Sequence, residues 1–156
     1  KSIALRVLVL DNYDSFTYNL VHLLEQFPIA LEVKRNDQID LNEVAGFDRI
    51  LLSPGPGLPA EAGRMPELLS RFATTKNILG VCLGLQAIVE RFGGTLQNLD
   101  QVAHGVASRV VISPSKDPLF AGYPDSFLAG RYHSWVANYN ALPQELTVTA
   151  KDEKVY

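Results

Sequence analysis

GVCLGLQA, residues 80–87, decides how the chain is read. It holds the single cysteine of the sequence, Cys82, with a glycine two positions away on either side, Gly80 and Gly84. The preceding NILGV (77–81) is short, apolar and β-branched, as a buried strand should be. Residues 85–92 then read as a helix, ended by Gly93 and Gly94. The cysteine therefore falls where a strand stops and a helix starts. Its G-x-C-x-G frame has the form of a nucleophile elbow with cysteine in place of serine. Such a turn is sharp and strained, and side chains at the flanking positions would collide with strand or helix. The helix N-terminus is expected to favour thiolate over thiol. The Leu83 N–H is expected to point at an oxyanion forming on a carbon attacked by the sulfur. A buried structural cysteine is the commoner fate of a lone thiol. With 11 glycines in 156 residues, however, two glycine flanks arise by chance with a probability of only about 0.005. A redox pair is excluded because there is no second cysteine.

Outward from the elbow, strand and helix patterns alternate. IALRVLVL (3–10) is a continuous apolar run suited to a strand buried on both faces. After DNYDS, Phe16, Leu20, Leu23, Leu24 and Phe27 recur at helical spacing, with Asp14 or Ser15 placed to cap. Pro28 closes that helix. Strands follow at 30–34 and 48–53, with a short helix at 41–45 between them. SPGPG (53–57) breaks all regular structure, and a helix is expected over 66–74 with Pro66 in its first turn. This alternation means βαβ units and a mainly parallel sheet. Beyond Gly94 the pattern changes to short strand-like runs, at 106–112 and 145–150, read as an antiparallel extension. The fold class is α/β: an open, mainly parallel, flavodoxin-like sheet flanked by helices.

Composition narrows the function. The chain of 156 residues suits one domain, and 47% hydrophobic with 20% charged residues is ordinary for a soluble globular protein. A formal charge of -3 argues against a nucleic-acid surface. No apolar run is long enough to span a bilayer, and no signal peptide opens the chain, so no membrane is expected. One cysteine fits a reducing cytoplasm. SPGPG ends a strand at the same sheet edge as the elbow, and its glycines allow backbone N–H groups to approach a bound anion or carbonyl. A tight surface turn would explain that segment equally well on its own. It lacks the pattern of a nucleotide phosphate loop.

DNYDSFTYNL (11–20), SPGPGLP (53–59), GVCLGLQA (80–87) and GRYHSW (130–135) occur in this order. Together they resemble the class I, triad-type glutamine amidotransferases, over nearly the whole chain. The first motif is more selective, and is similar to the glutaminase subunits of anthranilate and aminodeoxychorismate synthases. The resemblance implies that Cys82 attacks the side-chain amide of L-glutamine and forms a γ-glutamyl thioester. It implies an oxyanion hole from the backbone N–H groups of Gly57 and Leu83. Gly55, Pro56, Gly57, Gln86, Ser134 and Trp135 would hold the glutamine. It implies no cofactor and no metal, and a chorismate-binding synthase chain as the partner that receives the ammonia. From spacing alone, Gln86 lies one helical turn beyond Cys82, and its amide suits the crevice mouth or a solvated helix surface equally.

In the family the general base and its carboxylate come from a His-Pro-Glu segment. The three histidines here, His22, His104 and His133, do not match it. The resemblance thus implies one domain over residues 1–156 that stops short of the family's C-terminal segment. A thiol nucleophile needs a base to hold it as thiolate and to protonate the leaving amine. Two further readings stand beside the glutaminase: a cysteine hydrolase acting on esters or peptides, and a catalytically incomplete binding or regulatory subunit of the same fold.

Overall fold

The computed structural model describes residues 4–99, 106–114, 117–131 and 135–153. The chain divides into two compact units, Lys1–Arg91 and Phe92–Tyr156.

The first unit is built on four parallel strands: β1 (Leu5–Asp11), β2 (Ile29–Arg35), β3 (Arg49–Leu52) and β4 (Asn77–Gly80). Their order in the sheet is β2-β1-β3-β4. The chain therefore reverses its direction of winding between β1 and β3, and ligands of open α/β sheets bind beyond the carboxyl ends at such a point. The helices are α1 (Thr17–Leu24), α2 (Leu41–Val44), α3 (Met65–Phe72) and α4 (Leu83–Arg91). Leu8, Leu10, Ile50 and Leu52 face one side of the sheet and pack with Val44, Leu68, Leu69, Leu83 and Ala87 of the helices. Val9 and Leu51 face the other side, against Val21, Leu20 and Leu24 of α1. β1 is thus buried on both faces, which is why its sequence is apolar without alternation.

α1 is shorter than its periodicity suggests. Thr17 and Val21 are its buried residues, while Phe16, Leu23 and Phe27 are exposed. The Thr17 hydroxyl donates to Asp11 Oδ1 at 3.0 Å, which turns the Thr17 side of the helix, not the Phe16 side, toward the sheet. Phe16 is the N-cap residue and makes no side-chain cap bond; Asp14 accepts the Phe16 N–H at 3.2 Å instead.

In the second unit, β5 (Leu96–Asn98) pairs antiparallel with β8 (Trp135–Ala137). A separate antiparallel sheet has the order β7-β6-β9, from β6 (Val106–Ile112), β7 (Ser126–Arg131) and β9 (Ala150–Asp152). The strand expected over 145–150 is displaced toward the C-terminus. Leu146 N–H closes a turn on the Pro143 carbonyl at 3.1 Å, so the ladder starts only at Ala150.

Candidate active site

The elbow has the geometry its glycines demand. Gly80 ends β4, Leu83 opens α4, and Cys82 between them has φ +55°. That left-handed conformation costs a non-glycine residue about 1–3 kcal/mol. A β-carbon on Gly80 would lie 2.5 Å from the Gly84 carbonyl carbon and 2.6 Å from the Leu85 nitrogen. One on Gly84 would lie 2.5 Å from the Leu52 carbonyl oxygen. Both glycines are needed because the first turn of α4 packs backbone to backbone on its own strand and on β3. The Cys82 carbonyl accepts the Gln86 N–H at 3.0 Å, so the cysteine occupies the helix entrance.

Cys82 is a free, half-buried thiol. Burial pushes its pKa above the ordinary cysteine value, and the negative charge of Asp14 acts in the same direction. The hydrogen bond from the Leu83 backbone N–H pulls the other way, but does not prevail. The helix entrance favours thiolate as expected, through the Leu83 N–H, but desolvation of the sulfur outweighs that contact. An activating base is therefore a chemical requirement of the site.

The SPGPG loop runs beside the elbow. A β-carbon on Gly55 would lie 2.9 Å from Leu83 Cδ2 and 2.6 Å from both the Asn12 β-carbon and its carbonyl oxygen. The loop therefore passes between the end of β1 and the start of α4. Gly57 has φ +75°, a conformation glycine adopts without strain, and the next N–H, on Leu58, donates to Glu61 Oε1 at 2.9 Å. Pro56 and Gly57 are exposed.

Of the other candidates, Gln86 is buried, which rules out the solvated helix-surface alternative. Trp135 is the first residue of β8, half-buried and paired in register with Asn98. Ser134, His104 and His133 lie outside the described residues. His22 sits on the exposed side of α1, with Nδ1 3.3 Å from Glu25 Oε2. Among the described residues no cluster of three or more His, Cys, Asp or Glu side chains is placed to hold a metal. Nor, among them, is any helix long and apolar enough to cross a membrane.

Sequence reading missed a buried polar group behind the loop. Asn12, Asn36 and Ser53 are 2%, 5% and 0% exposed, and are joined to one another by hydrogen bonds. Their signal in the sequence is slight: each is a polar residue placed immediately after a strand.

The family model of class I glutamine amidotransferases matches residues 8–155, and this chain belongs to that family. It is 44% identical over 144 residues to the anthranilate synthase component 2 of Lactococcus lactis, covering 92% of this chain and 72% of that protein. It is 41% identical over 150 residues to the aminodeoxychorismate/anthranilate synthase component 2 of Bacillus subtilis, covering 95% of this chain and 76% of that one. The crystal structure of a glutamine amidotransferase from Thermotoga maritima shares the fold, with a TM-score of 0.79 at 14% identity, covering 99% of this chain and 70% of the other.

Proposed function

We propose that the chain hydrolyses L-glutamine through Cys82 and supplies ammonia to a chorismate-aminating synthase subunit. The observation that carries this is the strained cysteine at the helix entrance, with the Leu83 N–H on its sulfur and a glycine loop packed alongside. The names of the relatives support the chorismate branch, anthranilate and aminodeoxychorismate synthesis alike. The reading carries a cytoplasmic location with it, where the thiol stays reduced.

In the proposed reaction the Cys82 thiolate attacks the amide carbon of glutamine. The carbonyl electrons move to oxygen, and the backbone N–H groups of Gly57 and Leu83 stabilise the oxyanion. Gly55, Pro56 and Gln86 hold the substrate, and the resemblance assigns Ser134 and Trp135 to the same role. The C–N bond breaks, the leaving nitrogen takes a proton from the base, and ammonia departs. Water then attacks the thioester, releasing glutamate and restoring the thiol. Burial raises the Cys82 pKa, so the thiol needs a base to become thiolate, and the family resemblance assigns that role to the histidine of a His-Pro-Glu segment. An ester or peptide hydrolase would have no use for an ammonia-accepting partner.

The test is glutaminase activity of the natural protein, alone and with its synthase partner. Docking of the partner would shield the thioester and ammonia from bulk water. A weak rate that rises on mixing supports the proposal. A rate that mixing leaves unchanged contradicts the coupling, and absence of any glutamine hydrolysis in the complex contradicts the function.

A further inference from the structure

We propose that Asn12 is a positioning residue for glutamine hydrolysis, holding the 53–57 loop at a fixed height over the Cys82 elbow. This rests on the proposed function and adds to it a residue that touches neither the sulfur nor the substrate.

Asn12 directly follows β1 and Ser53 directly follows β3, the adjacent strands at which the sheet changes its winding. Two bonds tie them together, and a third extends the unit to Pro54. The Asn12 backbone N–H donates to Ser53 Oγ at 2.9 Å, and Asn12 Nδ2 donates to the Ser53 carbonyl at 2.8 Å. Ser53 Oγ in turn donates to the Pro54 carbonyl at 2.8 Å. The amide cannot rotate away. Its Oδ1 accepts from Asn36 Nδ2 at 2.9 Å, and its Nδ2 also meets Met65 Sδ at 3.5 Å. Asn36 is itself fixed, its N–H on the Asp11 carbonyl at 3.0 Å and its carbonyl accepting from Arg64 N–H at 2.8 Å.

The consequence for the site lies in Gly55, which is pressed between Asn12 and the Leu83 side chain. Leu83 carries the N–H that reaches the Cys82 sulfur. One wall of the active crevice, the loop, is thus referenced to the other, the elbow, through Asn12. Each hydrogen bond adds only modest net stability, but together they leave the buried amide a single orientation.

The test uses the natural protein in complex with its synthase partner, fed with glutamine or with ammonium. Asn12→Ala should lower kcat for glutamine about 10- to 100-fold, because ångström misplacement of catalytic donors has that order of effect. KM should rise by a smaller factor than kcat falls, since Gly55 and Pro56 of the same loop hold the substrate while the Gly57 N–H meets the oxyanion. The ammonium-fed rate, which reports folding and assembly, should not change. Asn36→Ala removes the donor to Asn12 Oδ1 but leaves the Asn12 bonds to Ser53, so it should cost less, and the double variant should lower kcat no further than Asn12→Ala alone. A purely structural role predicts a lower melting temperature with kcat of the folded complex within about twofold of normal, and that result overturns the proposal. Equal losses in the glutamine-fed and ammonium-fed rates overturn it too. If Asn12→Ala does not fold, Ser53→Ala takes its place: it keeps the amide but cuts the Oγ link, and unchanged kcat there is equally fatal. A wild-type complex without glutamine hydrolysis would remove the function itself, an outcome distinct from the others.

Discussion

Gly84 and Leu52 meet backbone to backbone: a β-carbon on Gly84 would lie 2.5 Å from the Leu52 carbonyl oxygen and 2.6 Å from the Leu52 β-carbon. Leu52 is fully buried and belongs to the central parallel sheet, so the strand has no room to retreat. Gly84→Ala should therefore destabilise the protein by about 1–3 kcal/mol, the usual scale of overpacking, and lower glutamine turnover with it. Denaturant unfolding of the natural protein measures the first. A midpoint equal to that of the wild type would show that the contact is not as tight as the geometry requires.

Replacing Cys82 by serine tests the nucleophile without disturbing the turn, because the two side chains are nearly isosteric. Serine is far less acidic, so glutamine-dependent turnover should fall at least about 10²-fold. Synthesis fed with ammonium should continue, since the partner then needs no glutaminase. Near-normal glutamine turnover in the serine variant is the outcome that removes Cys82 from its role.

The thiol also makes a pH prediction. Burial first, and then Asp14, raise the Cys82 pKa, so the folded state binds this proton more tightly than the unfolded state. The sign follows: its contribution to stability is full below the unfolded-state value and is lost as pH rises toward the folded one. For the 156-residue chain, the alkylation rate of Cys82 should climb through the alkaline range, with a midpoint above the ordinary cysteine value of about 8.5. Asp14→Asn should move the midpoint down. A thiol that alkylates rapidly at neutral pH, with a midpoint below the ordinary value, contradicts this electrostatic picture.

The parts legible in the sequence were those set by sterics and periodicity. The apolar run of β1 gave a strand buried on both faces, and Gly80 and Gly84 gave the elbow, since each permits only one kind of contact. The less legible parts depend on long-range hydrogen bonds. Nothing local in FTYNLVHLL says that Thr17 will reach back to Asp11, so that Leu20 and Leu24 of the expected stripe meet the sheet while Phe16, Leu23 and Phe27 stay exposed. Asn12 and Ser53 are 41 residues apart, so their pairing follows only from the strand order. The net direction of the Cys82 pKa was hidden for a related reason: the elbow's N–H contact acts as expected, while burial by the surrounding fold determines the balance.

The central claim is a covalent step at one atom, and trapping the intermediate tests it most directly. The natural protein with its synthase partner would be mixed with glutamine, quenched in acid and weighed intact, then digested to locate the adduct. The account predicts a mass increase of one γ-glutamyl group, confined to the peptide that carries Cys82 and absent from the Cys82→Ser variant. Steady glutamine turnover with no adduct on that peptide, or an adduct that survives in the serine variant at another residue, would contradict it.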